Sequence, residues 1–272
     1  VAPVLKARVL TALVLAPLVV AAIYLAPLWL YAVVFGLITA AAAWEWAALV
    51  GCATIAARAV YTLSYAALAA VIFAVPALWV PLLIGAVVFW MYALYRVLAF
   101  DPAAAGGQFR PADALYGLLA IGGAYAALIV LRALPDGANW VMLALASVWL
   151  ADVGAYFAGK QFGRRKLLAK VSPGKSWEGV LGGMLAVLLV VVAVLVLRGE
   201  AQIARWLPVL AVLVLVSVLG DLFESTLKRR AGVKDSGRLL PGHGGMLDRI
   251  DAQLSSLPLW GLWVSWTLGR LG

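Results

Sequence analysis

Apolar stretches of roughly twenty residues follow one another along almost the whole chain, and that succession restricts the possible folds more than any other feature. The runs cover about 9–30, 29–50, 60–75, 77–95, 113–134, 140–159, 180–197, 206–227 and 246–268. At about 1.5 Å of helical rise per residue, each comes near the length needed to cross a hydrocarbon core of about 30 Å. The chain is 66% hydrophobic and only 12% charged, which excludes an ordinary soluble domain. The expectation is an all-α, polytopic integral membrane bundle with about nine transmembrane helices.

Several features along the first half have two readings. Lys6 and Arg8 before an apolar run fit a retained first span, and a cleavable signal peptide is the alternative. Glu45 between Trp44 and Trp46 reads equally as an interfacial anchor or a site residue. Cys52, the single cysteine, excludes an intramolecular disulfide and reads as a small buried residue. The turn-rich loop 96–112 is followed by a span holding Gly117, Gly122 and Gly123, which permit close helix approach. No soluble domain or convincing repeat is visible. The chain divides into a scaffold of membrane helices at 1–139 and a catalytic core at 140–272 carrying two basic loops.

The chemistry is concentrated in 220–251, which holds the only histidine, five of the twelve acids and six of the 21 basic residues. If the preceding apolar run continues as a helix, Asp221, Glu224, Ser225 and Lys228 share one face. A polar loop with Gly232, Gly237, Gly242, Gly244 and Gly245 then leads to a helix starting near Met246, with Asp248 and Asp251 in its first turns. Glycine-rich backbone at a helix N-terminus is a ready anion site. Carboxylates facing such a loop suggest Mg²⁺ shared between protein oxygens and phosphate oxygens. Upstream, Asp152 precedes a basic loop that ends in Ser172-Pro173-Gly174-Lys175-Ser176-Trp177-Glu178-Gly179. Its Gly-Lys-Ser resembles the close of a phosphate-binding P-loop, but Ala169 stands where that motif needs glycine and no strand is expected before it. What remains is Lys175 and Ser176 at a helix N-terminus that would stabilise an anion.

With nine spans, the N-terminus and alternate loops share a side, and seventeen basic residues fall there against four on the other. This bias places the N-terminus and both basic loops in the cytoplasm. An ionisable group deep in a bilayer costs about 2.5–3.5 kcal/mol, so Asp152, Asp221 and Glu224 read as functional. The basic loops have a plainer reading, in which they only set orientation and touch anionic lipids. A net charge of +9 does not imply nucleic acid, since in a membrane protein the distribution of Lys and Arg matters more than the total.

Ser225-Thr226-Leu227-Lys228-Arg229, then Lys234-Asp235-Ser236-Gly237, then Pro241-Gly242-His243-Gly244-Gly245-Met246-Leu247-Asp248-Arg249-Ile250-Asp251 closely resembles the C-terminal pattern of the phosphatidate cytidylyltransferases, or CDP-diacylglycerol synthases. The 172–179 segment resembles that family's upstream motif. The resemblance implies a polytopic helical fold, commonly a homodimer; the compact length suits a bacterial cytoplasmic membrane, with an organelle membrane as the alternative. It implies a reaction of CTP with phosphatidic acid to give CDP-diacylglycerol and pyrophosphate, with Mg²⁺ held chiefly by Asp221 and Asp248. It allows a second cation such as K⁺ nearby. Asp152, Glu224 and Asp251 become further ligands or orienters of the ligands. Lys228 and His243 join Asp221 and Asp248 as candidate catalytic residues. Lys175, Ser176, Glu178, Ser225, Arg229, Lys234, Asp235, Gly244, Gly245 and Arg249 become candidate substrate-binding residues. Two alternatives stand beside this one: a CTP-dependent polyprenol or dolichol kinase, and an ion-coupled transporter using Asp152 and Asp221.

Overall fold

The structure, a computed structural model, describes residues 2–102, 109–239, 242 and 244–269, with side chains from Leu13 onward except Val14. Among the described residues nine helices follow in order: α1 Ala2–Leu25, α2 Leu28–Leu49, α3 Ile55–Ala74, α4 Trp79–Leu98, α5 Pro111–Ala133, α6 Gly137–Phe162, α7 Trp177–Leu197, α8 Ile203–Ala231 and α9 Leu247–Thr267. A 3-10 turn at Pro76–Leu78 links α3 to α4. Helices start and stop where local chemistry directs. Thr54 caps α3 by accepting the Ala57 N–H at 3.1 Å, and Pro111 opens α5, where a missing N–H costs nothing. Gly232, at φ 70°, ends α8 and lets the Val233 N–H close on the Lys228 carbonyl at 3.0 Å.

Seven helices, α2 through α8, are long and apolar enough to cross a membrane among the described residues, and the protein is an all-α polytopic membrane protein. The first turn of α9 and the one after it carry Asp248, Arg249 and Asp251, which lowers its apolar content.

One expectation is corrected. The basic segment before α7 contains a two-stranded antiparallel hairpin, β1 Lys166–Leu168 and β2 Ser172–Ser176, although no strand was expected there. Leu168 pairs with Ser172 and Lys166 with Ser176, and the Trp177 N–H closes on the Arg165 carbonyl at 2.9 Å. Too few residues alternate for the pattern to be seen in sequence. Gly174-Lys175-Ser176 lies in the strand itself, so the absence of a P-loop stands.

Contacts gather at the two ends of the bundle. At one end Arg198 pairs with Asp136, Tyr24 donates to Asn139 at 2.8 Å, and Arg132 donates to the Ile23 carbonyl at 3.1 Å. At the other, Asp113 at the start of α5 accepts from Arg96 of α4 at 3.2 Å and from Arg230 of α8 at 2.7 Å. Both basic connections lie at this second end.

Lipid tails are as apolar as the side chains, so helices here are held by close packing and by satisfied polar groups. A Cβ on Gly154 of α6 would meet the Gly182 carbonyl oxygen of α7 at 2.7 Å. A Cβ on Gly220 of α8 would come within 2.3 Å of the Asp251 carbonyl oxygen of α9, so the two acid-bearing helices touch backbone to backbone. Inside α9, Pro258 has no N–H for the Leu254 carbonyl, and the Trp90 indole of α4 supplies a donor at 3.1 Å. Cys52, in the α2–α3 connection, is a free buried thiol whose pKa burial pushes up, against a smaller opposite pull from Arg58.

Candidate active site

The hairpin is fastened to the N-terminus of α7. The Ser176 hydroxyl caps that helix by accepting the Gly179 N–H at 3.2 Å, and the Glu178 carboxylate accepts the backbone N–H groups of Arg164 at 3.1 Å and Arg165 at 3.2 Å. Both side chains therefore shape the loop. With β2 held in this way, Lys175 reaches α8 and places its ammonium 2.7 Å from Asp221.

The helical spacing of α8 brings the expected residues to one face. Ser225 donates to Asp221 at 3.3 Å one turn away, and Lys228 pairs with Glu224. Lys228 also reaches Asp248 of α9 at 2.7 Å, so one ammonium bridges two carboxylates. Three consecutive basic residues diverge here. Lys228 turns to the acids, Arg229 donates to the Val171 carbonyl of the hairpin at 3.4 Å, and Arg230 pairs with Asp113 at 2.7 Å. The last two steady the end of α8.

Asp248 is the most heavily engaged acid. Its second oxygen accepts the N–H groups of Ser236 and Gly245, each at 2.9 Å, and lies 2.9 Å from the Ser236 hydroxyl. Gly244, at φ 79°, brings the loop against it, where a Cβ would stand 3.0 Å from that oxygen. Lys234 and Asp235 are exposed in the same loop. His243 lies outside the described residues. Glu224 is buried, with its carboxylate beside that of Asp251.

Two cavities meet at Asp152. One, of about 300 Å³, lies among α6, α7 and α8 and is lined by Asp152, Tyr156, Lys175, Ser176 and Asp221. The other, of about 430 Å³, is lined by apolar side chains of α1, α2, α5, α6 and α9, among them Leu15, Phe35, Leu128, Trp149 and Leu257. Its polar lining includes Asp152 and, from the first turns of α9, Asp248, Arg249 and Asp251. The α1, α2 and α5 contributions show that the N-terminal helices form part of the site's surroundings.

Among the described residues no group of three or more acidic, histidine or cysteine side chains is gathered closely enough to hold a metal unaided. Sequence reasoning selected Asp221, Lys228 and Asp248 but missed Asp113 and Ser236, and it left Glu45 undecided. Glu45 is buried against the α8–α9 loop, and its ambiguous place at a span boundary was the only available signal.

Fold and site together define an integral membrane protein with a charged end, where lysine–carboxylate pairs border apolar space. The model of the Cytidylyltransferase family matches residues 6–266, and the chain belongs to that family. A protein of Pseudomonas aeruginosa named phosphatidate cytidylyltransferase is 40% identical over 267 residues, covering 96% of this chain and 98% of the relative. Proteins of the same name from Haemophilus influenzae and Thermotoga maritima are 40% identical over 195 residues and 46% identical over 129 residues. The first of these alignments covers 65% of this chain and 66% of the relative, the second 45% and 48%.

Proposed function

We propose that this protein transfers the cytidylyl group of CTP to phosphatidate at the cytoplasmic face of the membrane. A phosphate oxygen of the lipid forms a bond to the α-phosphorus of CTP, the bond from that phosphorus to the β-phosphate bridging oxygen breaks, and pyrophosphate leaves. The observation that carries this reading is that a cavity bordered by Lys175, Ser176 and Asp221 meets a larger, mostly apolar cavity at Asp152. The first is assigned to the triphosphate and the second to an acyl chain.

Both reactants are anions, so the protein's task is to hold them in line and balance their charge. Lys175 and Lys228 are the ammonium groups placed for that, and the N-terminus of α7 adds its partial positive charge. Arg249, lining the apolar cavity, is placed for the lipid phosphate. In this reading, phosphate oxygens displace the carboxylates as partners of the two lysines, which would leave Asp221 and Asp248 available to hold a cation.

The donor set fits Mg²⁺. Its members are carboxylates alone, Glu224 is buried beside Asp251, and Mg²⁺ is commonly held by one or two carboxylates with the remainder from phosphate and water. Asp221 and Asp248 would hold the ion, with Asp152, Glu224 and Asp251 around them. When bound, it supplies charge neutralisation at the transferring phosphate.

The test is to incubate purified protein with phosphatidate, Mg²⁺ and CTP labelled at the α- or the γ-phosphate. The α-label is expected in the lipid, with the γ-label released as pyrophosphate. Transfer of the γ-label to the lipid, with CDP released, would replace this reading by a kinase.

A further inference from the structure

Glu45 takes no part in the chemistry described so far. It projects from the end of α2 into the α8–α9 connection and is only 4% exposed. Its Oε2 accepts the N–H of Leu247, the first residue of α9, at 2.8 Å. A helix start leaves its first N–H groups without intrahelical partners, and a carboxylate there is favoured by the helix dipole as well. The loop is moulded to this side chain. A Cβ on Gly237 would stand 2.1 Å from Glu45 Oε1, and one on Gly245 would stand 2.4 Å from Oε2.

The same carboxylate is coupled to Asp248 through one hydroxyl. Ser236 Oγ lies 3.1 Å from Glu45 Oε2 and 2.9 Å from Asp248 Oδ2, and it accepts the Asp248 N–H at 3.3 Å. A serine hydroxyl has one hydrogen, so it donates to one carboxylate at a time. Asp248 Oδ2 already accepts two backbone N–H groups, whereas Glu45 Oε2 has only that of Leu247. The hydroxyl therefore links the two carboxylates, and Glu45 helps to fix its place beside Asp248.

Capping alone does not require a buried carboxylate, because a neutral oxygen caps as well. Glu45 Oε1 has no hydrogen-bond partner among the described residues, and a buried polar atom in that state carries a cost that needs a reason. We infer that Glu45 is a positioning residue for the transfer reaction: through the Leu247 N–H and the Ser236 hydroxyl it fixes the start of α9 and with it the carboxylate of Asp248. The inference rests on the role proposed above for Asp248.

The test compares Glu45→Ala, Glu45→Gln, Ser236→Ala, the double variant Glu45→Ala/Ser236→Ala and Asp248→Asn in the full chain, reconstituted in lipid. Turnover, the two KM values and the thermal midpoint are measured for each. Misplacement of a reacting group by about an ångström can cost about a hundredfold. Glu45→Ala removes both contacts and is expected to lose about ten- to a hundredfold in kcat, with KM for phosphatidate little changed, whereas Glu45→Gln keeps an oxygen for both and should recover most of that loss. Ser236→Ala should lose a comparable factor, and the double variant should be no worse than the poorer single one, because both act along one path. Should Glu45→Ala fail to fold, Ser236→Ala carries the same expectation. Parental kcat in a folded Glu45→Ala, a Glu45→Gln no better than Glu45→Ala, or single losses that multiply in the double variant would overturn the inference. A fully active Asp248→Asn would remove the Asp248 assignment with it, whereas an inert Asp248→Asn beside a normal Glu45→Ala removes the positioning role alone.

Discussion

Lys175 and Asp221, on a strand and a helix, meet at 2.7 Å and line the same cavity, with side chains 23% and 34% exposed. A pair this open to solvent contributes at most about 1 kcal/mol to stability. Its importance lies in what Lys175 does when an anion arrives. Losing a charge-assisted hydrogen bond to phosphate costs about 1.5–3 kcal/mol, or a factor of ten or more. Lys175→Met should therefore raise KM for CTP at least about tenfold while moving the thermal midpoint little. Steady-state kinetics at varied CTP and a thermal melt check both halves, and an unchanged KM would remove Lys175 from the nucleotide site.

The acids themselves make a sharper prediction. Asp221→Asn keeps a side-chain oxygen for the Ser225 hydroxyl, and Asp248→Asn keeps one for the N–H groups of Ser236 and Gly245. Both variants should fold. Each loses a negative charge where the proposed Mg²⁺ would sit, and kcat should fall by about a hundredfold or more. Lipid product formed from labelled CTP across a Mg²⁺ titration measures this. Near-parental turnover in either variant would end that residue's metal assignment.

Lys228 bridges Glu224 and Asp248, and Glu224 is 2% exposed. Removing one partner of a buried pair leaves an uncompensated charge and costs about 3–5 kcal/mol. Lys228→Met should unfold at markedly lower temperature, and adding Glu224→Gln should recover most of the loss by discharging the stranded acid. Activity should not return with stability, since the ammonium proposed to meet the substrate phosphates is still missing. Thermal unfolding in detergent, paired with turnover, separates the two effects, and a Lys228→Met melt equal to the parent's would contradict the buried-pair argument.

The spans were legible because a bilayer demands long apolar runs, and those runs are in the sequence. The shared face of Asp221, Glu224, Ser225 and Lys228 was legible because helical spacing is local. The Lys228–Asp248 bridge was not, since it depends on how the connection 232–246 folds back, and no periodicity encodes that return. Glu45 stayed ambiguous for a related reason: a carboxylate at a span boundary looks the same whether it anchors in headgroups or turns inward to cap another helix. Glu178 and Ser176 were read toward substrate from their motif. Their hydrogen bonds to the hairpin and to α7 became visible only once the strand pairing was known.

A buried polar contact between α4 and α9 yields a prediction about stability alone. Pro258 deprives the Leu254 carbonyl of its helical donor, and Trp90, 164 residues earlier in sequence, donates its indole N–H at 3.1 Å. Without water in the bilayer interior, an orphaned carbonyl has no other recourse. Trp90→Phe keeps an aromatic ring against Phe89 and Phe223 but strands that oxygen, at a cost of about 1–3 kcal/mol. If the orphaned carbonyl is the cause, restoring its backbone donor should repair the damage. Trp90→Phe should then cost at least about 1 kcal/mol less in a Pro258→Ala background than in the parent, a coupling that a double-mutant cycle of thermal unfolding resolves. An equal cost in both backgrounds would mean that the indole matters for its packing and not for its hydrogen.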